Sequence, residues 1–185
     1  MYNDENLIER LSDRKRVFDG LIIHVDHMTA LLPNGKTAPR EVAVHMGASA
    51  VVPVDADGNV YLVRQFRAPL GKVTLEIPAG KLDEPDEDRR EAAVRELREE
   101  TGLTAENVTH LTDMATTPGF CTEVISIYLA TGLSAGETDF DDDEFLNLVK
   151  MPLAEAVDGI MNGEICDSKT IAGILMTGRK MFRGS

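Results

Sequence analysis

The sequence predicts an α/β protein in which helices pack on a mixed sheet. Three observations predict this fold class. Alternating, β-branched segments fill most of the first 80 residues, the hydrophobic period becomes helical over 87–101, and two more helical segments follow the last strand candidate. The length of 185 residues fits one domain, or one domain with a small accessory region.

The first half of the chain is predicted to be mostly strands. Residues 1–17 are polar and charged, and we expect a short helix or a loose arm there. Strands are expected within 17–33, 41–46, 48–66 and 73–80, with turns at 33–36 and 55–59. We therefore divide the chain into an N-terminal β region, residues 1–46, and a main domain, residues 47–185.

The second half mixes helices and strands. A helix is expected from Glu87 to Thr101, with Asp86 as its N-cap and Gly102 as its stop. The later segments are strands at 108–116, 124–133 and 145–153, an acidic loop at 136–144, a helix ending at Gly163, and a last helix capped by Asp167 or Ser168. A mixed sheet with helices added late follows from this order.

Charge and composition exclude several classes of protein. The net charge of −13 argues against a nucleic-acid binder, because such proteins present basic surfaces to the phosphate backbone. A small phosphorylated ligand is still possible if divalent cations lie between it and the acidic protein. Two cysteines, Cys121 and Cys166, form no disulfide framework. We see no signal-peptide core and no apolar run of 18 residues, so a cytoplasmic protein without a membrane span is expected.

Acidic residues are concentrated on the predicted helix over 87–101. Glu96 and Glu100 lie one helical turn apart on the same face, with Glu99 beside them. Carboxylates at fixed positions on a helix suit magnesium or manganese, which take oxygen ligands. A solvated helix face with Glu–Arg pairs is the alternative, and the spacing alone leaves both open.

The surrounding residues resemble the signature of the Nudix hydrolases, Gly-x5-Glu-x7-Arg-Glu-apolar-x-Glu-Glu-x-Gly-apolar. Residues 95–103, RELREETGL, match its second half completely, and Glu87 stands the required eight positions before Arg95. The loop between Gly80 and Glu87 is one residue longer than the pattern, so either Asp86 or Glu87 fills the first acidic position. Surface loops tolerate such an insertion.

The resemblance extends over most of the chain and is strongest to the ADP-ribose pyrophosphatase branch of the family, through VRQFRAP, LEIPAGKLDE and TTPGFCTEVISIYLA. It implies an α/β/α sandwich and metal-dependent hydrolysis of ADP-ribose to AMP and ribose 5-phosphate. Glu96, Glu99, Glu100 and the carbonyl of Ala79 would bind Mg²⁺ or Mn²⁺, and Glu99 would also be catalytic. Arg95 would hold the carboxylates by ion pairing.

The remaining candidates come from the resemblance and, for Phe18 and Arg40, from an aromatic ring and a guanidinium that could flank an adenine. Substrate-binding residues would be Phe18, Arg40, Arg67, Glu76, Pro118 and Gly119. Candidates for the catalytic base, on a loop that would close over the substrate, are Asp141, Asp143 and Glu144. Glu123 would be a supporting carboxylate near the metals. From the residues alone, Phe18 could equally be ordinary core, Arg67 a solvated strand end, and Glu76 a solvent-facing strand position.

Other functions stay open at this point. The enzyme could hydrolyse another nucleoside diphosphate sugar, such as GDP-mannose or ADP-glucose. A sensor that binds ADP-ribose without hydrolysis is disfavoured by the three intact glutamates and by the absence of a basic helix-turn-helix segment. The resemblance also implies a homodimer formed through the N-terminal strands, which would cover exposed strand edges.

Overall fold

The computed structural model describes residues 4–136 and 146–182. Within these residues the strands are β1 (Arg10–Asp19), β2 (His24–Leu31), β3 (Thr37–Val44), β4 (Ala48–Pro53), β5 (Asn59–Arg67), β6 (Lys72–Glu76), β7 (Ala79–Lys81), β8 (Leu103–Ala115), β9 (Val124–Ala135) and β10 (Leu146–Pro152). The α-helices are α1 (Arg89–Thr101), α2 (Leu153–Met161) and α3 (Ser168–Phe182). Short 3-10 turns lie at Glu5–Leu7 and Ala68–Leu70.

The chain divides into two compact units. The N-terminal unit contains residues 1–46 and 117–123, and the larger unit contains 47–116 and 124–185. In the N-terminal unit, β1, β2 and β3 form an antiparallel sheet in that order. The predicted turn between β2 and β3 is confirmed, since the amide of Leu32 donates to the carbonyl of Lys36 at 2.8 Å and Gly35 has a φ of 80°.

Strand β1 departs from the prediction of a helix or loose arm. All ten of its residues are exposed, so no alternation of buried and exposed positions marks the strand in the sequence. Pairing with β2 extends the chain here, with register shifts near Asp13 and Val17. Tertiary pairing, rather than a local hydrophobic pattern, forms this strand.

The larger unit contains a mixed sheet, as predicted. Its order is β7-β4-β9-β8, with β4 and β9 parallel and the outer pairs antiparallel. A second, antiparallel sheet has the order β10-β5-β6. The turn at 55–59 between β4 and β5 is confirmed by the amide of Asp55, which donates to the carbonyl of Asn59 at 3.0 Å. The predicted single strand at 73–80 is instead two, β6 and β7, interrupted at Ile77 and Pro78.

Buried residues alternate along β4 between two apolar clusters. Ala50 and Val52 belong to a cluster that includes Ile127 of β9 and Ile174 of α3. Val51 points into another cluster, formed with Ala93 and Leu97 of α1 and with Tyr128 and Ala130 of β9. Helices α1 and α3 therefore cover opposite faces of the mixed sheet, which is the expected α/β/α arrangement. The burial of a single large aliphatic side chain contributes about 1.5–3 kcal/mol to such a core.

Hydrogen bonds at the ends of the helices identify their capping residues. The N-cap of α1 is Asp88 rather than Asp86, because the Asp88 carboxylate accepts from the amides of Arg90 at 2.9 Å and Glu91 at 3.0 Å. Gly102 ends this helix in the left-handed conformation, as predicted. Asp167 caps α3, since its carboxylate accepts from the amide of Thr170 at 3.0 Å.

No helix in the described ranges, residues 4–136 and 146–182, is long and apolar enough to cross a membrane.

Candidate functional site

The acidic edge of α1 faces the strand β7. Glu96 and Glu100 are buried, and Glu99 is half-buried. The amide of Ala79 donates to the carboxylate of Glu100 at 3.2 Å. The reading of this helix face as simply solvated is therefore wrong for Glu96 and Glu100. Buried carboxylates are costly without compensating charge or hydrogen bonds, and here Arg95 pairs with Glu96 while the amide of Ala79 donates to Glu100.

Gly80 lies against the Glu96 carboxylate. A Cβ atom added at Gly80 would lie 2.0 Å from Oε1 of Glu96 and 2.6 Å from its Oε2. The backbone of β7 can approach the carboxylate only because residue 80 lacks a side chain. This close approach brings the backbone of β7 and the acidic edge of α1 together.

Arg95 holds the carboxylates together, as the resemblance implied. Its Nη1 lies 2.7 Å from Oε1 of Glu96 and 3.1 Å from Oε2 of Glu99, and its Nη2 lies 3.3 Å from Oε1 of Glu87. Burial lowers the pKa of Arg95, but Glu96 and the other carboxylates outweigh it and raise the pKa above its ordinary value. Among the two candidates for the first acidic position of the motif, Glu87 is the one that contacts Arg95.

The donor set of this face fits Mg²⁺ or Mn²⁺. Carboxylate oxygens are the ligands that these ions take, and the fold brings the buried carboxylates of Glu96 and Glu100 to the strand β7. In the described parts of the chain, no three His, Cys, Asp or Glu side chains already stand together at metal-ligand spacing. Arg95 bridges Glu96 and Glu99 instead. The assignments of Glu96, Glu99, Glu100 and Ala79 as ligands stay predictions.

A second charged cluster surrounds Glu76 at the end of β6. The Arg67 guanidinium binds it through two parallel hydrogen bonds of 2.8 Å, from Nε to Oε1 and from Nη2 to Oε2. Thr74 donates to Oε1 at 2.6 Å, and Lys169 donates to Oε2. Glu76 is buried, so the solvent-facing alternative for this residue is wrong. The substrate-binding roles of Arg67 and Glu76 stay predictions.

Lys169 is a residue of this cluster that the sequence analysis missed. It is buried at the start of α3 and also lies 3.1 Å from the carboxylate of Asp167. A signal was present in the sequence, because a lysine in the first turn of a helix opposes the helix dipole. An unfavourable position of this kind suggests that the ammonium group has an anionic partner elsewhere in the fold.

The protonation of Glu76 makes stability depend on acid pH. Burial raises the pKa of Glu76, but Arg67, Lys169 and Thr74 lower it to about 2, against an ordinary value of 4.5. A carboxyl whose pKa is lower in the folded state stabilises the fold above its unfolded pKa, and this stability is lost as the pH falls from about 4.5 towards 2. We expect Glu76 to account for about 2 kcal/mol of the stability lost between pH 6 and pH 3.

Urea denaturation of the wild type and of Glu76→Gln at pH 6, 4 and 3 measures this contribution. The wild type should lose more unfolding free energy than the variant over this range. Parallel losses in the two proteins would show that Glu76 does not carry the expected ionisation.

Four other candidates lie in the N-terminal unit. Phe18 is exposed, so the reading of this ring as core is wrong. Arg40 is engaged by the carboxylate of Glu9, with its Nε 3.0 Å from Oε2. Pro118 and Gly119 belong to the segment 117–123 of the same unit. The substrate-binding roles of these four residues stay predictions. In this unit, too, Glu123 pairs with His45 at 3.4 Å.

The three candidates for the catalytic base, Asp141, Asp143 and Glu144, lie outside the residues that the structure describes. Their role stays a prediction.

Comparisons with known proteins agree with this geometry. The family model described as the NUDIX domain matches residues 44–172. The chain is 41% identical over 168 residues to the methanol dehydrogenase activator of Bacillus methanolicus, and the match covers 90% of both chains. It is 39% identical over 172 residues to the ADP-ribose pyrophosphatase of Bacillus subtilis (strain 168), with 92% of both covered. The crystal structure of an ADP compounds hydrolase has the same fold, with a TM-score of 0.82, 23% identity and 95% of each chain covered.

Proposed function

The chain belongs to the Nudix family, and from this premise we propose that it hydrolyses the pyrophosphate bond of ADP-ribose, giving AMP and ribose 5-phosphate. The observation that carries the proposal is the complete second half of the Nudix signature, folded on α1 so that Glu96 and Glu100 are buried against β7. The choice of ADP-ribose rests on the Bacillus subtilis relative, an ADP-ribose pyrophosphatase that matches over 92% of both chains.

Residues of α1 and β7 have separate roles in the proposed reaction. Glu96, Glu99, Glu100 and the Ala79 carbonyl would hold Mg²⁺ or Mn²⁺, whose chemistry is to neutralise phosphate oxygens and to lower the pKa of water. Arg95 keeps Glu96 and Glu99 in place through its ion pairs. One of Asp141, Asp143 and Glu144 would accept the proton of the attacking water, and Glu99 would be catalytic as well as a metal ligand.

Arg67 would bind the diphosphate of the substrate. A guanidinium has five N–H donors, and Arg67 uses two of them on Glu76. The side chain of Arg67 is 39% exposed, so its other donors can reach a ligand. Planar, bidentate donors suit phosphate oxygens well.

A panel of nucleotide sugars tests the proposed substrate. Purified protein with Mg²⁺ is given ADP-ribose, ADP-glucose and GDP-mannose, and kcat/KM is measured for each from the release of nucleoside monophosphate. We expect ADP-ribose to be preferred by at least about tenfold, since pocket contacts of 1–3 kcal/mol separate related substrates. A tenfold preference for GDP-mannose would reject ADP-ribose in favour of another nucleoside diphosphate sugar.

The same assay separates an enzyme from a sensor. Binding of ADP-ribose without release of AMP, at any divalent metal concentration, would favour the non-catalytic sensor. The intact set of Glu96, Glu99 and Glu100 supports the enzyme instead.

A second candidate function follows from the Bacillus methanolicus relative, which is a methanol dehydrogenase activator. Identity of 41% over 90% of both chains supports a test of this activity. The purified protein is added to a methanol dehydrogenase assay, beside the Glu100→Gln variant. An increase in dehydrogenase rate that the variant does not give would add activation to the proposed hydrolase activity.

We also propose that two copies associate through the N-terminal strands. The support is the set of exposed apolar side chains in that unit, which include Leu11, Phe18, Leu21 and Ile22. Sedimentation equilibrium at micromolar concentration measures the oligomeric state, and a monomer would reject the proposal. The cytoplasmic location stays a prediction.

A further inference from the structure

The carboxylate of Glu76 has no acceptor capacity left. An ionised carboxylate offers about four acceptor positions, two on each oxygen. Oε1 accepts from Arg67 and Thr74, and Oε2 accepts from Arg67 and Lys169. A carboxylate that is saturated in this way is held in one position, and it is poorly suited to bind substrate directly.

The guanidinium of Arg67 takes its orientation from this carboxylate. Two parallel hydrogen bonds fix the plane of the group, whereas one would leave it free to rotate. The side chain belongs to the last residue of β5, so the strand alone does not determine where the guanidinium points. Glu76 raises the pKa of Arg67 most, and the charges of Asp167 and Glu100 raise it further, while burial lowers it.

Lys169 also holds Glu76, through the oxygen Oε2 that Arg67 shares. Its side chain is 8% exposed, and its ammonium group is already bound by two carboxylates of the protein. The ammonium donates to Glu76 and to Asp167, and Asp167 is itself fixed by the amide and hydroxyl of Thr170, at 3.0 and 2.6 Å. The hydroxyl of Thr170 in turn accepts from the amide of Ile77 at 2.9 Å. The first turn of α3 is therefore joined to the end of β6 through a continuous set of polar contacts.

We propose that Lys169 is a positioning residue for substrate binding: it holds the Glu76 carboxylate, and Glu76 in turn orients the Arg67 guanidinium towards the diphosphate of the substrate. This inference rests on the proposed function, because it assigns the diphosphate to Arg67. A positioning role for Lys169 differs from that of a purely structural ion pair in one respect. A structural pair would affect the stability of the fold, whereas a positioning pair affects KM through Arg67.

Kinetics of Lys169→Met test the inference, because methionine has a similar length and lacks the charge. We expect KM for ADP-ribose to rise about tenfold with kcat within about twofold, since a misdirected binding group weakens binding. Lys180→Met is the matched control, as Lys180 is an exposed lysine on the same helix, and it should leave both constants unchanged. Lys169→Arg, which keeps the charge, should recover most of the loss.

A double-mutant cycle shows whether Lys169 acts through Arg67. In an Arg67→Met background, Lys169→Met should raise KM no further, because the group that it positions is gone. An equal rise in both backgrounds, or a lower melting temperature with an unchanged KM, would overturn the inference. If Lys169→Met does not fold, the double variant Glu76→Gln/Lys169→Met removes both buried charges. Its KM for ADP-ribose should rise about tenfold, as expected for Lys169→Met. An unchanged KM in the double variant would also overturn the inference.

A measurement without substrate separates this inference from the proposed function. The ¹⁵Nε–H signal of Arg67, assigned by its absence in Arg67→Met, should be visible and slow to exchange in the wild type. It should broaden or disappear in Lys169→Met and persist in Lys180→Met. If the wild type cleaves no nucleotide sugar, the proposed function fails by the substrate panel, and the NMR signal still decides whether Lys169 holds Arg67 in place. An Arg67 signal that is unchanged in Lys169→Met overturns the inference.

Discussion

Replacing Glu100 with Gln is expected to lower kcat for ADP-ribose by about 1,000-fold, since a lost metal ligand removes several kcal/mol of transition-state stabilisation. Glu100 is buried, and its carboxylate accepts from the amide of Ala79 at 3.2 Å. The amide oxygen of Gln can keep this hydrogen bond, but it lacks the negative charge that attracts a divalent cation. The effect should therefore fall on activity much more than on the fold.

The measurement is steady-state hydrolysis of ADP-ribose at saturating Mg²⁺, with thermal unfolding of the same preparations. Glu91→Gln is the matched control, because Glu91 is exposed on the same helix and pairs only with Arg90 among the ion pairs found in the described residues. The control should retain the wild-type kcat. Equal turnover by Glu100→Gln and the wild type would remove the basis for a metal site on α1.

Replacing Gly80 with Ala should produce the second largest loss of activity, about 100-fold in kcat/KM, as expected for small displacements of catalytic groups. The new Cβ would lie 2.0 Å from Oε1 of Glu96, which is too close for two heavy atoms that are not bonded. The flexible end of the Glu96 side chain is the part that can move away. The substitution thus displaces a proposed ligand while the strand β7 keeps its place.

Gly58→Ala provides a contrasting control for this prediction. Gly58 has a φ of 80° and no atom within 4 Å of an added Cβ, so alanine there strains the backbone without touching a side chain. We expect Gly58→Ala to lose about 1 kcal/mol of unfolding free energy with normal activity. Gly80→Ala should lose activity with little change in stability. If both variants lost only stability, the contact between Gly80 and Glu96 would have no role in activity.

Local patterns predicted most elements of the larger unit. The change of hydrophobic period located α1, and the sequence motif on this helix pointed to Glu96 and Glu100, which are buried in the fold. The N-cap prediction of Asp86 was wrong, because aspartates at positions 86 and 88 are equally good caps by residue type. In the fold it is the Asp88 carboxylate that accepts from the amides of Arg90 and Glu91.

The strand β1 could not be predicted in the same way. Its exposed, charged residues have no apolar alternation, and its extended conformation follows from pairing with β2. Similarly, the break at Ile77 and Pro78 divides a continuous strand signal into β6 and β7. Each of the two pieces pairs in a different sheet, which only the assembled fold determines.

By itself, the sequence determined the fold class, through the order of its strand and helix patterns. It also determined the helix that carries the Nudix signature and the acidic residues on the buried face of that helix, because these depend on spacing within a few helical turns. The tertiary structure alone decided that Glu76 is buried and that Lys169, 93 residues later in the chain, is its partner. The physical reason is that burial of a charge is favourable only when an opposite charge reaches it. Which distant residue can do so depends on how α3 packs beside β6, and no local period in the sequence encodes that contact.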